Sequence, residues 1–156
     1  IICNANHVLK KKTMATMFMT VCMLKWDSVA GKLSYVNAGH EPVLHCRASD
    51  GEVVEGKKDG MALGMVASDQ CPVNVVDTGM EVGDVVVIYS DGVLEAWKNE
   101  KEHYGMERLK ASVKAASAVK GASASQIKDA IMAEVARFTG GFEQKDDQTI
   151  LVLKRG

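Results

Sequence analysis

The chain has 156 residues, 47% of them apolar and 25% charged, which is enough for one folded domain over residues 1–156 and excludes a disordered or collagen-like protein. Lys and Arg number 19 and Asp and Glu number 20, so the formal net charge is −1. This balance argues against a nucleic-acid-binding protein that works through a basic face.

The first half of the chain is predicted to form a helix followed by antiparallel strands. Residues 1–12 carry apolar residues at helical spacing and end in a lysine run, as an amphipathic helix does at its C-terminal end. Residues 17–26 are apolar on both alternating sets, which predicts a strand covered on both faces with its methionines in the core. A turn and residues 32–38 complete one hairpin, and residues 42–47 and 52–55 form a second.

The second half is predicted to add strands and two grouped helices. Two strands are predicted at residues 73–77 and 85–90, and two helices at residues 109–116 and 127–138. A last strand is predicted at residues 149–154. Ser123 and Gln126 form a candidate capping box for the second helix, and Gly140 follows that helix at its end. Because the helices are grouped and do not alternate with the strands, the order predicts an α+β fold.

Cysteine usage and hydropathy predict a cytoplasmic domain. The four cysteines, Cys3, Cys22, Cys46 and Cys71, have irregular spacing, which favours buried free thiols over a disulfide framework. The longest apolar stretch, residues 14–24, is too short to span a membrane, and the first residues lack the zones of a signal peptide. We therefore expect no direct membrane contact.

Carboxylates stand at the ends of two predicted strands. Asp91 follows the strand at 85–90, whereas Asp146 and Asp147 precede the strand at 149–154. If these strands are neighbours in a sheet, the carboxylates converge, and converging carboxylates repel unless they are protonated or share a cation. Magnesium and manganese prefer such oxygen ligands. The segments therefore predict a metal site.

Each acidic motif is also typical of simpler structure. Ser-Asp-Gly is a common turn, and an Asp pair before a strand is often solvated. The histidines have no ligand spacing among themselves, which favours structural or exposed positions for His7, His40, His45 and His103.

Several motifs in order carry a family resemblance. They are YVNAGHEP (35–42), ALGM (62–65), GD (83–84), YSDGVLEA (89–96), YG (104–105), RL (108–109), and DDQT (146–149) leading into LVL (151–153). Over residues 17–156 this series resembles the bacterial SpoIIE/RsbU-like serine phosphatases, a branch of the PPM-type metal-dependent protein phosphatases. A series of motifs in order is far more specific than any one of them.

The resemblance implies an α-β-β-α sandwich of antiparallel sheets flanked by helices, which removes phosphate from phosphoserine or phosphothreonine in proteins. Two manganese or magnesium ions are implied, with Asp91 and Asp146 as metal-binding catalytic residues. Asp147 is a third candidate ligand, with a supporting or surface position as the alternative. The implied mechanism is direct hydrolysis by a water that the metals activate. The segment around His40 is implied to support the structure.

One family segment has no counterpart here. The family pattern has an upstream Asp-Val-Ser-Gly segment whose Asp bridges both metals, and the chain contains no such segment. We therefore expect a partial domain that is missing its first strands, binds manganese weakly and is nearly inactive. Sheet edges exposed in this way favour pairing of two copies as a homodimer.

The resemblance also implies a substrate, a phosphorylated anti-sigma-factor antagonist in a bacterial partner-switching pathway. The alternative is a catalytically silent phosphatase-like module that binds and sequesters a signalling partner. A third hypothesis, an unrelated magnesium-dependent hydrolase such as a nuclease, is disfavoured by the lack of a basic face.

Overall fold

The computed structural model describes residues 1–12, 17–67, 69–70 and 72–156. In chain order the elements are α1 (Ile2–Lys12), β1 (Val21–Asp27), β2 (Lys32–Ala38), β3 (Leu44–Cys46), β4 (Val53–Glu55), β5 (Val76–Gly79), β6 (Val85–Tyr89), α2 (Asp91–Leu94), β7 (Trp97–Asn99), β8 (Glu102–His103), α3 (Gly105–Ser117), α4 (Ala124–Thr139) and β9 (Ile150–Lys154). This mixture of helices and antiparallel sheets confirms the α+β fold class.

The chain divides into two compact units. The first unit is Ile1–Pro42 with Lys57–Met80, and the second unit is Val43–Gly56 with Glu81–Gly156. The single domain over residues 1–156 stays a prediction.

The first unit holds a three-stranded antiparallel sheet in the order β1-β2-β5. β1 and β2 pair along their whole length, from Val21 opposite Ala38 to the turn that joins them. In that turn Asp27 Oδ1 accepts hydrogen bonds from the N–H groups of Val29 (3.0 Å) and Ala30 (2.9 Å). The predicted first hairpin is therefore confirmed, with an Asp side chain fixing its turn.

The prediction of a strand at 17–26 with both faces covered is wrong. β1 begins at Val21 and is an edge strand, because β2 is its only partner among the residues described. Its half-buried Cys22, Leu24 and Trp26 alternate with exposed neighbours. Four large apolar side chains that the sequence assigned to a core are 39–64% exposed, namely Met17, Phe18, Met19 and Met23. Successive side chains of a strand point to opposite faces. Among the described residues, the face of β1 that carries Met23, Lys25 and Asp27 is exposed, and only Val21 on that face packs into the core of this unit.

Helix α1 confirms the helix predicted at the start of the chain, and it anchors a loop of the first unit. The buried Asn6 side chain donates to the carbonyl oxygens of Ala67 (3.1 Å) and Gln70 (3.2 Å), and its Oδ1 accepts from the N–H of Gly64 (2.9 Å). One turn later, Lys10 Nζ donates to the Gly64 carbonyl (2.8 Å). The amide of Asn6 thus satisfies backbone groups that a loop cannot pair within itself.

The second unit is built on a four-stranded antiparallel sheet in the order β4-β3-β6-β9. β6 is interior to this sheet, and its residues from Val85 to Val87 are fully buried, as its β-branched run predicts. The helices contribute one apolar face each to the same core, through Leu109, Val113, Ile127, Ile131 and Val135. These are the helical positions that the sequence periodicity predicts.

The capping box of α4 is also confirmed. Ser123 Oγ accepts the N–H of Gln126 (3.2 Å), and Gln126 Oε1 accepts the N–H of Ser123 (2.8 Å). At the other end Gly140 adopts a left-handed conformation with φ of 57°.

Three short elements were not predicted. They are α2 and the hairpin of β7 and β8, which have two to four residues each. Such short segments show no hydrophobic period that a sequence pattern could detect. β5 also begins at Val76, three residues later than predicted.

The expectation of free thiols holds for Cys22 and Cys46, and burial raises the pKa of the Cys22 thiol to about 11. It is wrong for Cys3, which is disulfide-bonded. Cys71 lies outside the described residues. Irregular spacing does not fix which cysteines meet in space, because pairing depends on the tertiary fold.

No helix within the described ranges is long and apolar enough to cross a membrane.

Asp84 is a buried acceptor that joins three parts of the second unit. It accepts the N–H groups of Ala48 (2.8 Å) and Glu81 (3.0 Å), and its Oδ2 lies 2.8 Å from His45 Nε2. Burial alone would raise the pKa of Asp84, but the two backbone N–H groups and the His45 ring together hold that pKa below its usual range. The hydrogen bonds to the ionised form therefore outweigh the desolvation of the carboxylate.

Asp84→Asn is expected to reduce the free energy of unfolding by about 2–3 kcal/mol at pH 7, because an amide offers one acceptor oxygen to three donors. A carboxyl pKa lowered by folding adds stability above the unfolded pKa of about 3.9, and this stability is lost as the pH falls through the folded pKa. The difference between wild type and variant should therefore shrink on acidification. Urea unfolding at pH 7 and near pH 3 measures it.

The matched control is Asp129→Asn on the exposed surface of α4. It should change the free energy of unfolding by less than about 0.5 kcal/mol at either pH. Equal effects of the two substitutions would contradict the assignment of Asp84 as a buried anchor.

Candidate functional site

The strands that carry the predicted site residues are neighbours. β6 pairs with β9 in antiparallel register, with Tyr89 opposite Ile150. In an antiparallel pair the end of one strand lies beside the start of the other. Asp91 after β6 and Asp146 with Asp147 before β9 are therefore brought to the same end of the sheet, as the sequence predicts for neighbouring strands.

Ser90 fastens the two acidic segments together. Its N–H donates to the carbonyl oxygen of Thr149 (3.0 Å), and its hydroxyl accepts the N–H of Thr149 (2.9 Å). The same hydroxyl donates to the carbonyl oxygen of Asp147 (3.0 Å). One serine thus continues the strand pairing for a further residue and fixes the backbone beside Asp147.

Gly92 permits an unusually close approach of the two segments. A Cβ at this position would lie 2.4 Å from the carbonyl oxygen of Asp147 and 3.4 Å from the carbonyl carbon of Asp146. The first distance is far below van der Waals contact, and the atom it meets is backbone, which cannot rotate away. The glycine of the Ser-Asp-Gly motif is therefore required here by tertiary packing against the Asp147 backbone.

The carboxylates themselves are exposed and only partly engaged. Asp91 Oδ1 accepts the N–H of Gly92 (3.0 Å), and Asp146 Oδ1 accepts the N–H of Asp147 (2.7 Å). Gln144 Nε2 donates to the carbonyl of Asp146 (2.8 Å), which supports the segment from the preceding side. A carboxylate can accept further bonds at its second oxygen, so both side chains retain capacity for a ligand.

The oxygen atoms of these carboxylates are the kind of ligand that a hard divalent cation prefers. Exposed carboxylate oxygens on a backbone that Ser90 and Gly92 hold in close register suit magnesium or manganese. Within the described part of the chain, no group of three or more His, Cys, Asp or Glu side chains gathers into a metal-holding arrangement. The two segments thus offer the start of a coordination shell, in which Asp91 and Asp146 could be ligands.

The histidines have structural contacts, as predicted. His45 pairs with Asp84, and His103 lies edge-on to the Trp97 ring with Nδ1 3.2 Å from the carbonyl of Leu94. His40 lies in the first unit, where its N–H donates to the buried side chain of Asn37 (2.9 Å).

Asn37 accounts for the conformation of the 35–42 motif. Besides accepting from His40, its amide donates to the carbonyl of Glu41 (2.9 Å), and the left-handed Gly39 between them lies against Ala62. The motif is therefore a turn that an internal amide holds closed.

Sequence reasoning missed Lys145, which directly precedes Asp146. Its Nζ lies 5.1 Å from the centroid of the Trp97 ring and 5.8 Å from that of Phe142. A basic residue beside the acidic pair was the available signal. The contact with Trp97 has no sequence pattern, because β7 itself was not predicted.

Comparison with protein families gives one match over the whole chain. The family model described as Stage II sporulation protein E (SpoIIE) matches residues 1–156. Protein IcfG of Synechocystis sp. is 32% identical over 89% of this chain and 21% of its own length. Phosphoserine phosphatase RsbU of Bacillus subtilis is 30% identical over 59% of this chain and 27% of its own length. The chain therefore spans about a fifth to a quarter of these relatives.

Solved structures share the fold. The SiaA-PP2C domain of Pseudomonas aeruginosa aligns with a TM-score of 0.76 at 20% identity, over 96% of this chain and 57% of that one. A manganese-presoaked phosphatase domain of SpoIIE from Bacillus subtilis gives 0.64 at 23% identity, over 87% and 56%. RsbX in complex with magnesium gives 0.62 at 18% identity, over 94% and 59%. These matches confirm the predicted phosphatase-like fold.

Proposed function

Because the chain belongs to the SpoIIE family, we propose that it is a metal-dependent phosphatase domain that hydrolyses phosphoserine or phosphothreonine on a regulatory protein. The observation that carries this proposal is the meeting of the Ser90–Gly92 and Asp146–Thr149 segments at one end of the β6–β9 pair. It is supported by RsbU, a phosphoserine phosphatase of 30% identity. The manganese-presoaked SpoIIE domain and the RsbX domain in complex with magnesium support the use of manganese or magnesium, and the number of two ions comes from the family resemblance.

The residues of this chain would have distinct parts in such a site. Asp91 and Asp146 would hold the metal, with Asp147 as a further candidate. Ser90 and Gly92 set the spacing between the backbones of the two acidic segments. When bound, divalent metal supplies Lewis-acid activation of water and neutralises charge on the phosphoryl oxygens. We assign no nucleophilic side chain.

We propose further that the 156-residue chain by itself binds manganese weakly and turns over slowly. The three candidate carboxylates, each binding through one oxygen, would provide fewer ligands than the roughly six that each such cation takes. Each missing ligand must be replaced by water, which holds the metal less firmly.

The test combines manganese titration by calorimetry with phosphate release from a phosphoserine peptide at high protein concentration. We expect millimolar-range manganese affinity, on the order of that of weak extracellular cation sites, and slow phosphate release that chelator abolishes. Phosphate release that is equal with and without chelator would contradict the phosphatase proposal. Tight manganese binding with robust turnover would contradict only the proposal of weak activity.

The alternative function, a silent module that binds and sequesters a partner, is favoured by the lack of a three-residue metal cluster among the residues described. The same assay separates the two. A sequestering module would retain the phosphopeptide with no metal-dependent release of phosphate, whereas the phosphatase would release it.

The finer assignments are proposals on different grounds: the substrate rests on the family resemblance, the location on cysteine usage, and the homodimer on exposed sheet edges. They are an anti-sigma-factor antagonist as the substrate, a cytoplasmic location and a homodimer formed through exposed sheet edges. The exposed edge strand β1 supports pairing of copies, and sedimentation as a monomer at high concentration would contradict the homodimer.

A further inference from the structure

Lys145 differs in its contacts from the other cations that lie on aromatic rings in the second unit. Lys98 and Arg108 lie over the ring of Phe138, but both pair with the carboxylate of Glu102, at 3.9 Å and 2.7 Å. Lys145 has no carboxylate within ion-pair distance in the described part of the chain. Its charge is therefore held by rings alone.

Two rings from separate elements position the Lys145 ammonium. Trp97 belongs to β7, which follows the Asp91 segment, and Phe142 follows the end of α4. Ring faces attract a cation without using up its hydrogen-bond donors, as a carboxylate would. An ammonium has three N–H donors, so an exposed lysine held in this way keeps donors for an incoming acceptor.

The position of Lys145 beside the acidic segments limits what that acceptor can be. Lys145 precedes Asp146 directly, and the Asp146–Asp147 backbone lies against Gly92. A cation whose residue adjoins a candidate metal ligand in the chain, but whose ammonium pairs with no carboxylate among the described residues, suits a group that is itself strongly anionic and bridges to a bound cation. A phosphoryl group meets this requirement, because its several oxygens can contact a metal and an ammonium at once. A neutral serine hydroxyl does not.

We propose that Lys145, held by Trp97 and Phe142, is a substrate-binding residue that contacts the phosphoryl group of the phosphoprotein. The inference rests on the proposed phosphatase function and names a residue through which the same site distinguishes phosphorylated from unphosphorylated serine. The rings fix the ammonium in advance, which reduces the side-chain entropy lost when phosphate binds.

The test measures the affinity for inorganic phosphate, the product of the proposed reaction, at high magnesium and constant ionic strength. Emission from Trp97 reports binding at this position in a Trp26→Phe background, since Trp26 is the only other tryptophan. Calorimetry on the chain with both tryptophans provides a second measurement that does not depend on the background substitution.

Lys145→Gln should weaken phosphate binding about tenfold, as expected for loss of a charge-assisted hydrogen bond. Lys145→Arg should remain within about twofold of wild type, because arginine also binds both ring faces and phosphate. Lys120→Gln is the matched control, since Lys120 is an exposed lysine of the same unit outside the site. It should leave phosphate affinity unchanged.

A merely structural role for Lys145 predicts other results. In that case the Lys145→Gln variant would have a lower melting temperature or a lower magnesium affinity. Its phosphate affinity at high magnesium would be unchanged. That outcome overturns the inference, as does equal weakening by Lys120→Gln or no phosphate binding by the wild-type chain.

Failure of the inference is distinguishable from failure of the proposed function. Phosphate affinity that depends on Lys145, with no metal-dependent hydrolysis of a phosphoserine peptide, supports the inference and contradicts the phosphatase. Metal-dependent hydrolysis with unchanged KM and kcat in Lys145→Gln contradicts the inference alone. If both hold, Lys145→Gln should raise KM for the phosphopeptide more than it lowers kcat.

Discussion

Asp91→Asn is expected to weaken manganese binding by about 10–100-fold. It should also abolish metal-dependent phosphate release. The amide keeps an oxygen that can accept the N–H of Gly92, as Asp91 Oδ1 does at 3.0 Å, so the local turn should persist. It removes the charge of a predicted ligand, and loss even of a residue that only supports a ligand costs about 10–100-fold in metal affinity. Manganese titration and phosphopeptide hydrolysis measure the two effects.

The control for Asp91→Asn is Asp129→Asn, which removes one exposed carboxylate from α4 in the same unit. It should leave manganese affinity and hydrolysis at the wild-type level. Near-normal turnover of Asp91→Asn, with thermal unfolding like that of wild type, would remove Asp91 from the metal site.

Gly92→Ala is expected to separate the two acidic segments and so to lower both metal affinity and stability. The new methyl group would lie 2.4 Å from the carbonyl oxygen of Asp147, and relief of such an overlap costs about 1–3 kcal/mol. Alanine gains about 1 kcal/mol over glycine as a helix residue, so a net loss of up to about 2 kcal/mol should remain. Manganese affinity should fall about tenfold, because the backbone that carries Asp146 and Asp147 must move.

Gly79→Ala is the matched control for the glycine. No atom lies within 4 Å of a Cβ at this position, and alanine is favoured over glycine in a strand by roughly 0.5–1 kcal/mol. It should therefore leave stability equal or slightly higher. If Gly92→Ala proves as stable as wild type and binds manganese equally well, the close packing of the two segments is not what sets the site.

The two substitutions test different causes of the same loss. Asp91→Asn changes the charge of a ligand and preserves the backbone, so unfolding should be nearly unchanged while metal binding falls. Gly92→Ala preserves every carboxylate and shifts the backbone, so stability and metal binding should fall together.

The elements with a strong period could be predicted from the sequence. Helices α3 and α4, the buried strand β6 and the capping box at Ser123 each follow from local pattern, because burial of one face selects residues at a fixed spacing. The exposure of the methionines in residues 17–23 could not be predicted, because the same apolar pattern is typical of both a core strand and an edge strand. Only the sheet order shows that β1 has one neighbouring strand in the described parts of the chain.

The candidate site divides in the same way. The sequence alone determined which residues to consider, because Asp91, Asp146 and Asp147 stand at the ends of recognisable strands within family-like motifs. It gave the near-zero net charge that argues against a basic binding face. Tertiary structure decided that β6 and β9 are neighbours and that Gly92 lies against the Asp147 backbone. It also decided that Lys145 lies on the ring of Trp97, which is distant in the sequence, as well as on that of the nearby Phe142. Contacts between residues far apart in sequence depend on packing, which no local pattern encodes.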